Sequence, residues 1–257
     1  MVPDPPFPDT PMRLALLADI HANRPALEAC LDHARSQGAG RLVFLGDYVG
    51  YGPHPAEVLE RIMAESARGA IAVAGNHDRA VADLREAMTP DAETAMAWTR
   101  GQLGPEARDF LSSLPLRFED GPRLYVHASP QTYPPWIYIR EGRDARRALE
   151  ASRAQAVFCG HTHLPALHGI TATGKSVSFE PVPSVPVPLP RHRRWLTVVG
   201  AVGQSRDGNP AAAYALLDTE ASVITHFRVP YDVQSVAAAI LEAGLPPALA
   251  SRLRKGL

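Results

Sequence analysis

Leu42-Val43-Phe44-Leu45-Gly46-Asp47-Tyr48-Val49-Gly50 is the stretch on which the fold turns. Four apolar residues suit a strand buried on both faces. A glycine breaks the run and a carboxylate follows at once, the form of a strand whose carboxyl end delivers an acid into a site. The flanks repeat this form. Upstream, Arg13 to Ala18 reads as a buried strand ending at Asp19-Ile20-His21, and Asn23 with Pro25 starts a helix that runs to about Gln37 and stops at Gly38. Downstream, Pro55 to about Ala67 is helical on its apolar face Val58, Leu59 and Ile62, and Ala70 to Ala74 is a third strand ending at Gly75-Asn76-His77-Asp78. Strand and helix alternating in short units predict a parallel sheet with crossover helices.

Further along, Thr89-Pro90-Asp91 and Gly104-Pro105-Glu106 open two helices, the second ending near Ser113. Leu116 to Phe118 and Arg123 to Val126 pair around Asp120-Gly121-Pro122, and the second of these strands ends at His127. A short helix spans Asp144 to Ser152. Gln155 to Cys159 is a strand ending at Gly160-His161-Thr162-His163. Beyond it short strands dominate, at Ala166–Ile170, Ser176–Phe179, Leu196–Val199, Ala213–Leu217 and Ser222–Arg228, and they predict a second, more antiparallel sheet. The proline-rich run Pro181 to Pro190 cannot enter a central strand and reads as an extended loop. Two amphipathic helices, Asp232–Glu242 and Pro247–Leu253, follow.

The bulk properties limit the function classes. At 257 residues the chain can bury a large core without disulfides or metal staples. The net charge of −1 gives no footprint for a stable nucleic-acid complex. Cys30 and Cys159 are far apart, lack metal-type spacing, and read as buried apolar residues of a reducing compartment. No run reaches membrane-spanning length. The proline-rich start, 1–12, lacks the parts of a signal peptide and reads as a flexible leader, so a cytoplasmic protein is expected, with one domain over 13–257.

Five strand tips therefore end in residues able to hold a metal: Asp19 and His21, Asp47, Asn76 and His77, His127, and His161 and His163. Tips of one sheet region converge at its carboxyl edge. Two carboxylates, one amide and five imidazoles without a thiolate suit manganese, iron, zinc, cobalt or nickel better than calcium or magnesium. Asp19 and His21, and likewise His161 and His163, are two apart and point the same way in extended backbone. Glycines before Asp47, Asn76 and His161 free the backbone to turn.

In order and spacing, Asp19-x-His21, Gly46-Asp47, Gly75-Asn76-His77-Asp78, His127 and Gly160-His161-x-His163 resemble the motifs of the calcineurin-like metallophosphoesterases, over roughly residues 13 to 165. Val199 to Gln204 is similar to the glycine-rich strand entry of the smaller bacterial members. The resemblance implies an α/β fold of two mixed β-sheets packed as a sandwich with flanking helices. It implies two divalent or trivalent transition-metal ions, manganese or iron favoured, one held by Asp19, His21, Asp47 and His163 and the other by Asp47, Asn76, His127 and His161. Asp47 would bridge them. His77 would face the leaving group as the acid, and Asp78 would orient its ring or cap the following helix. Such a site hydrolyses a phosphate mono- or diester or a nucleotide by attack of a hydroxide bridging the ions.

Other residues are weaker candidates. His54, after the bridging acid, and Arg79, after the acid motif, are offered as substrate contacts, each set against a solvated surface role. The basic cluster Arg191-His192-Arg193-Arg194 reads first as a solvated loop. His33, His168 and His226 read as structural. Protein serine/threonine phosphatases of the superfamily carry Asp-Arg-Gly where this chain has Gly50-Tyr51-Gly52, which argues against a phosphoprotein substrate. A phosphoprotein phosphatase, a dinucleoside tetraphosphatase and a non-enzymatic interaction module are the alternatives, the last ranked lowest because no ligand position is eroded.

Overall fold

The computed structural model describes residues 12–131 and 136–257. The leader expected over 1–12 lies, but for Met12, outside the described residues. Met12 is not loose: its N–H donates to Thr219 Oγ1 at 3.0 Å and its carbonyl accepts from Thr219 N–H at 3.0 Å.

In chain order the elements are β1 (Arg13–Leu17), α1 (Arg24–Ser36), β2 (Arg41–Phe44), α2 (Pro55–Ala67), β3 (Ile71–Ala72), α3 (Asn76–Ala80), α4 (Pro90–Gln102), α5 (Pro105–Ser113), β4 (Arg117–Asp120) and β5 (Arg123–Val126). Then come α6 (Gly142–Glu150), β6 (Ala156–Cys159), β7 (Ala166–Thr171), β8 (Ser176–Phe179), β9 (Val187–Pro188), β10 (Arg193–Val198), β11 (Ala212–Asp218), β12 (Val223–Val229), α7 (Val233–Glu242) and α8 (Pro247–Lys255). One sheet runs β3-β2-β1-β11-β12-β9 and the other β4-β5-β6-β10-β7-β8. Both are mixed: β1 is parallel to β2 and antiparallel to β11, and β10 is parallel to β6 and antiparallel to β7.

Strand alternation sorts the core. Leu14 and Leu16 of β1 point between the sheets and meet Tyr125, Phe158, Leu167 and Trp195 of the second sheet. Ala15 and Leu17 point the other way, onto α1 and α2 through Leu27, Leu31 and Leu59. Ala145, Ala148 and Leu149 of α6 cover the outer face of the second sheet. The α1 face on the first sheet is Ala26, Leu27, Cys30, Leu31 and Ala34, and Asn23 caps the helix by accepting from Ala26 N–H at 3.2 Å. Among the described residues no helix is long and apolar enough to cross a membrane.

Three expectations change. The late strands do not form a sheet of their own. β7, β8 and β10 complete the second sheet, while β11 returns to lie beside β1 with β12 next to it, because the apolar run of β11 can be buried on both faces only in the middle of a sheet. The proline-rich run contributes one two-residue edge strand, β9, on β12, a place where a missing N–H costs little. The third strand is shorter than its apolar run predicts: beyond β3, Ala74 N–H turns to Pro115 O at 2.8 Å.

Candidate metal centre

The five tips meet, but from two sheets. β1, β2 and β3 of the first sheet and β5 and β6 of the second bring Asp19, His21, Asp47, Asn76, His127, His161 and His163 to one end of the sandwich. The tips are laced together through their backbones. Ile20 and His21 N–H donate to Asp47 O at 2.8 and 2.9 Å, Gly160 N–H donates to His127 O at 2.9 Å, and His161 N–H donates to the Asp19 carboxylate at 2.9 Å.

Their backbone is not extended, which overturns the alternation argument. Asp19, His21, Asp47, His161 and His163 all have φ between 47° and 64°. They are five of the ten described non-glycine residues with positive φ, so left-handed strain of about 1–3 kcal/mol each is concentrated at this site. The glycines also act differently from one another. Gly46 supplies a turn at φ +88°. Gly75 and Gly160 supply space: a Cβ would lie 2.1 Å from Asp47 Oδ1 at the first and 2.4 Å from Asp19 Oδ2 at the second.

Four histidine rings are held alike. His21 Nδ1 lies 3.2 Å from Val49 O, His127 Nδ1 2.8 Å from Leu45 O and His161 Nε2 3.0 Å from Trp136 O, while His163 Nδ1 contacts Gln204 O. A carbonyl only accepts, so each of these nitrogens carries the hydrogen and the opposite one presents a lone pair. The lone-pair nitrogens face each other: His21 Nε2 is 3.2 Å from His163 Nε2, and His127 Nε2 is 3.1 Å from His161 Nδ1 and 3.2 Å from Asn76 Oδ1. Asp47 Oδ2 lies between the groups, 3.7 Å from His21 Nε2 and 3.3 Å from His127 Nε2, and Asp19 Oδ1 is 3.4 Å from His163 Nε2. Acceptors converging on acceptors repel unless positive charge sits among them. The outer N–H to carbonyl bond is the arrangement that orients metal-ligating histidines.

The electrostatics carry the same demand. Burial tends to raise Asp47, but His127 and His77 hold it well below the usual carboxylate range. Burial, opposed by His127 and reinforced by Asp47, pushes Asp19 up to about 8. Burial works to lower His127, yet Asp47 and Asp19 raise it to about 9. Burial keeps His21 and His163 well below the ordinary imidazole value and takes His161 down to about 3. Raised in this way, Asp19 and His127 hold protons near pH 7, the one on His127 taking the Nε2 lone pair that a bound cation would claim. Metal uptake near pH 7 is therefore expected to expel protons, and apparent affinity to rise about tenfold per pH unit for each proton displaced. Manganese titrations between pH 6 and 8 in two buffers of different ionisation enthalpy check this; a pH-independent affinity would remove the site from Asp19 and His127.

The other candidates separate from the cluster. His77 places a ring nitrogen within 4.8 Å of ligand atoms of His21 and Asp47, but its Nδ1 has no partner, so it lacks the carbonyl anchor of the other four rings. Asp78 does not meet the His77 ring. Its Oδ2 accepts from Asp47 N–H at 2.8 Å and Gly75 N–H at 2.9 Å, and its Oδ1 from Tyr48 N–H at 2.9 Å, so its lone pairs serve the turns bearing Asp47 and Asn76. Of the two roles offered for Asp78, orienting His77 or capping the helix, these contacts are those of a cap. His54 opens α2 and hangs from Ala22 O through its backbone, away from the pocket lining. Arg79 lines a separate cleft with Asp83 and Ser112. His33, His168 and His226 bond to Tyr214, Ser178 and Val198, outside the site. Arg194 donates to Ser152 O and Ala154 O, and Arg191 borders a cavity of about 660 Å³ at the opposite end of the sandwich among Leu14, Phe158 and Trp195.

A smaller cavity of about 90 Å³ opens directly over Asp47, Asn76, His77, His161 and His163. Three of its other walls, Tyr51, Tyr138 and Arg206, were not legible as site residues. Tyr138 stacks on His161 at 4.1 Å between centroids, and Tyr51 stands 4.5 Å from His21 and 4.6 Å from His77. The signal for Arg206 was near: it follows the glycine-rich stretch Val199–Gln204 by two residues.

The model of the calcineurin-like phosphoesterase superfamily domain matches residues 12–222. An uncharacterised protein of Methanocaldococcus jannaschii is 30% identical over 249 residues, 95% of this chain and 98% of its own. Phosphodiesterase YfcE of Escherichia coli is 41% identical over 78 residues, 27% of this chain and 42% of its own. Among solved structures, a metallophosphoesterase from Sphaerobacter thermophilus superposes with a TM-score of 0.85 at 36% identity, covering 96% of this chain and 100% of that one. A protein of Pyrococcus horikoshii shares the fold, with a TM-score of 0.74 at 20% identity over 95% of this chain and 98% of its own. In sheet order, strand-tip chemistry and these likenesses together, the chain belongs to the calcineurin-like phosphoesterase superfamily.

Proposed function

We propose that this protein is a dinuclear metal-dependent phosphoesterase acting on small phosphate esters or nucleotides. The observation that carries the reading is the set of four anchored imidazoles whose inner nitrogens meet in two pairs, His21 with His163 and His127 with His161, one member of each pair facing Asp47 Oδ2. Asp19, His21, Asp47 and His163 would hold one ion, and Asp47, Asn76, His127 and His161 the other. Mixed nitrogen and oxygen donors suit manganese, iron, zinc, cobalt or nickel, and the resemblance to the family favours manganese or iron. When bound, the pair supplies Lewis acidity, which makes water a nucleophile near neutral pH and offsets charge on a phosphoryl group.

The chain's own residues do the rest. Asp47 Oδ1 accepts His77 N–H at 2.9 Å, which fixes the acid beside the bridging carboxylate. That bond comes from the backbone; ring Nδ1 is buried without a partner beside Gly50, where a Cβ would lie 2.3 Å away, so the other ring nitrogen is the one that would give a proton to a departing oxygen. Burial lowers His77, so the proton is drawn in by the negative charge of the bound substrate. His77→Gln is expected to keep its metal and lose about 10²–10⁴-fold in kcat, most for poor leaving groups. Loss of metal to the same extent would make His77 a ligand.

The test of the reading is elemental analysis of protein purified without chelator, beside turnover of p-nitrophenyl phosphate, its bis-diester, a dinucleoside tetraphosphate and a phosphopeptide with added manganese. Two ions per chain and turnover of a small ester are the expected result. The similarity to phosphodiesterase YfcE puts the diester in the panel. A phosphopeptide preferred by orders of magnitude in kcat/KM would move the substrate to phosphoproteins.

A further inference from the structure

Arg206 is a half-buried cation on the wall of the cavity above the cluster. No carboxylate of the described residues forms an ion pair with it, although its charge reaches Asp19, His21, His77 and His163. The Tyr51 hydroxyl shares that wall and feels the Arg206 charge. A fixed positive charge beside a nest built for cations opposes their binding. It becomes favourable when an anion lies between the two.

The loop bearing Arg206 is braced from three sides. Arg228 of β12 forms an ion pair with Asp207 and donates to Ser205 Oγ and Ala211 O, each at 3.1 Å. Gly208 N–H donates to Gly256 O at 2.9 Å, at the end of α8. Gly256 has φ +68°, and a Cβ there would lie 2.7 Å from the Asn209 backbone, so the C-terminal helix fits the loop closely. Tyr51 packs against α7 and α8 through Val236, Leu249 and Ala250. A guanidinium held this way is preorganised for its anion.

We infer that Arg206, with Tyr51, clamps the non-reacting oxygens of a phosphoryl group, and that the site selects a terminal phosphate over an internal diester. This rests on the phosphoesterase reading. The cavity of about 90 Å³ is well below the ~300–1,000 Å³ of sites that enclose a drug-sized ligand, so only the phosphoryl end enters. A terminal phosphate offers an extra anionic oxygen to a bidentate guanidinium, whereas a diester replaces it with a second substituent.

The experiment compares wild-type protein, Arg206→Gln, Arg206→Lys and Tyr51→Phe, all reconstituted with manganese. Metal content, inorganic phosphate binding by calorimetry, and kcat/KM for p-nitrophenyl phosphate and its bis-diester are measured. Arg206→Gln is expected to keep its metal, to bind phosphate about 10–100-fold more weakly as a charge-assisted hydrogen bond is lost, and to lose more on the monoester than on the diester. Arg206→Lys recovers part of both, and Tyr51→Phe loses less than either. Phosphate binding unchanged in Arg206→Gln, no phosphate binding by the wild type, or metal lost along with phosphate overturns the clamp. A wild type that binds phosphate through Arg206 yet turns over neither ester keeps the clamp and sinks the phosphoesterase reading instead.

Discussion

Asp47→Asn is expected to remove both ions at once and to abolish the stabilisation that metal gives the fold. The substitution keeps the size of the side chain and the Oδ1 that accepts from His77 N–H. What it loses is the charge on Oδ2, the atom 3.7 Å from His21 Nε2 and 3.3 Å from His127 Nε2. Asp47 would serve both proposed ions, so neither site would survive as built. Metal content should fall from two ions per chain to fewer than one, and kcat/KM by about 10³-fold or more, beyond the 10²–10³ typical of one lost electrostatic contact. In the wild type, metal at a thousand times its Kd adds about 4 kcal/mol to stability, which at this chain length raises Tm by roughly 10 °C. In Asp47→Asn the same addition should move Tm little. The metal-free variant should also be no less stable than the metal-free wild type. With Asp47 gone, His127 gives up the proton that Asp47 drew onto it, so no stranded charge is left behind. Melts with and without chelator, run beside elemental analysis, decide the matter. A variant that still holds two ions would take Asp47 out of the bridge.

What the sequence shows and what it hides follow from where the information lies. The tips at Asp19, Asp47, Asn76, His127 and His161 were legible because an apolar run broken by a polar residue is a local pattern. The fold class was legible through the order of those tips. The left-handed backbone of Asp19 and His21 was not, because it is set by N–H groups of one loop reaching Asp47 O on another. No single stretch encodes that lacing. The return of β11 to the side of β1 was hidden for a similar reason: an apolar strand fits a central position in either sheet, and register is chosen by the whole core. Arg206 looked like one arginine among many until the loop pinned by Arg228 put it over the cluster. Sequence left Asp78 two roles, orienting His77 or capping the helix, and only its three N–H partners, two of them on another loop, favour the second.

Asp78→Ala should accordingly loosen the fold rather than the chemistry alone. The Asp78 carboxylate is buried and collects three N–H donors, from Asp47, Tyr48 and Gly75. Those donors belong to the turns after β2 and β3, so a single side chain fastens the bridging carboxylate to the strand tip that carries Asn76. Alanine leaves all three N–H groups without that acceptor, in a space closed to water. Each such group costs about 1–3 kcal/mol. The costs are not additive among neighbours, and a loss of about 3–5 kcal/mol is the expected sum. That is a large part of an ordinary domain's 5–15 kcal/mol, and it should lower Tm by roughly 10 °C or more. Metal affinity should fall with it, because Asp47 N–H and the adjoining turn relax together. Asp78→Asn keeps one oxygen but turns an amide N–H toward backbone N–H, so it should fall between the two. The alternative role makes a different pattern. If Asp78 served only to orient His77, its alanine variant would melt like the wild type, keep both ions, and copy His77→Gln in losing turnover chiefly on poor leaving groups.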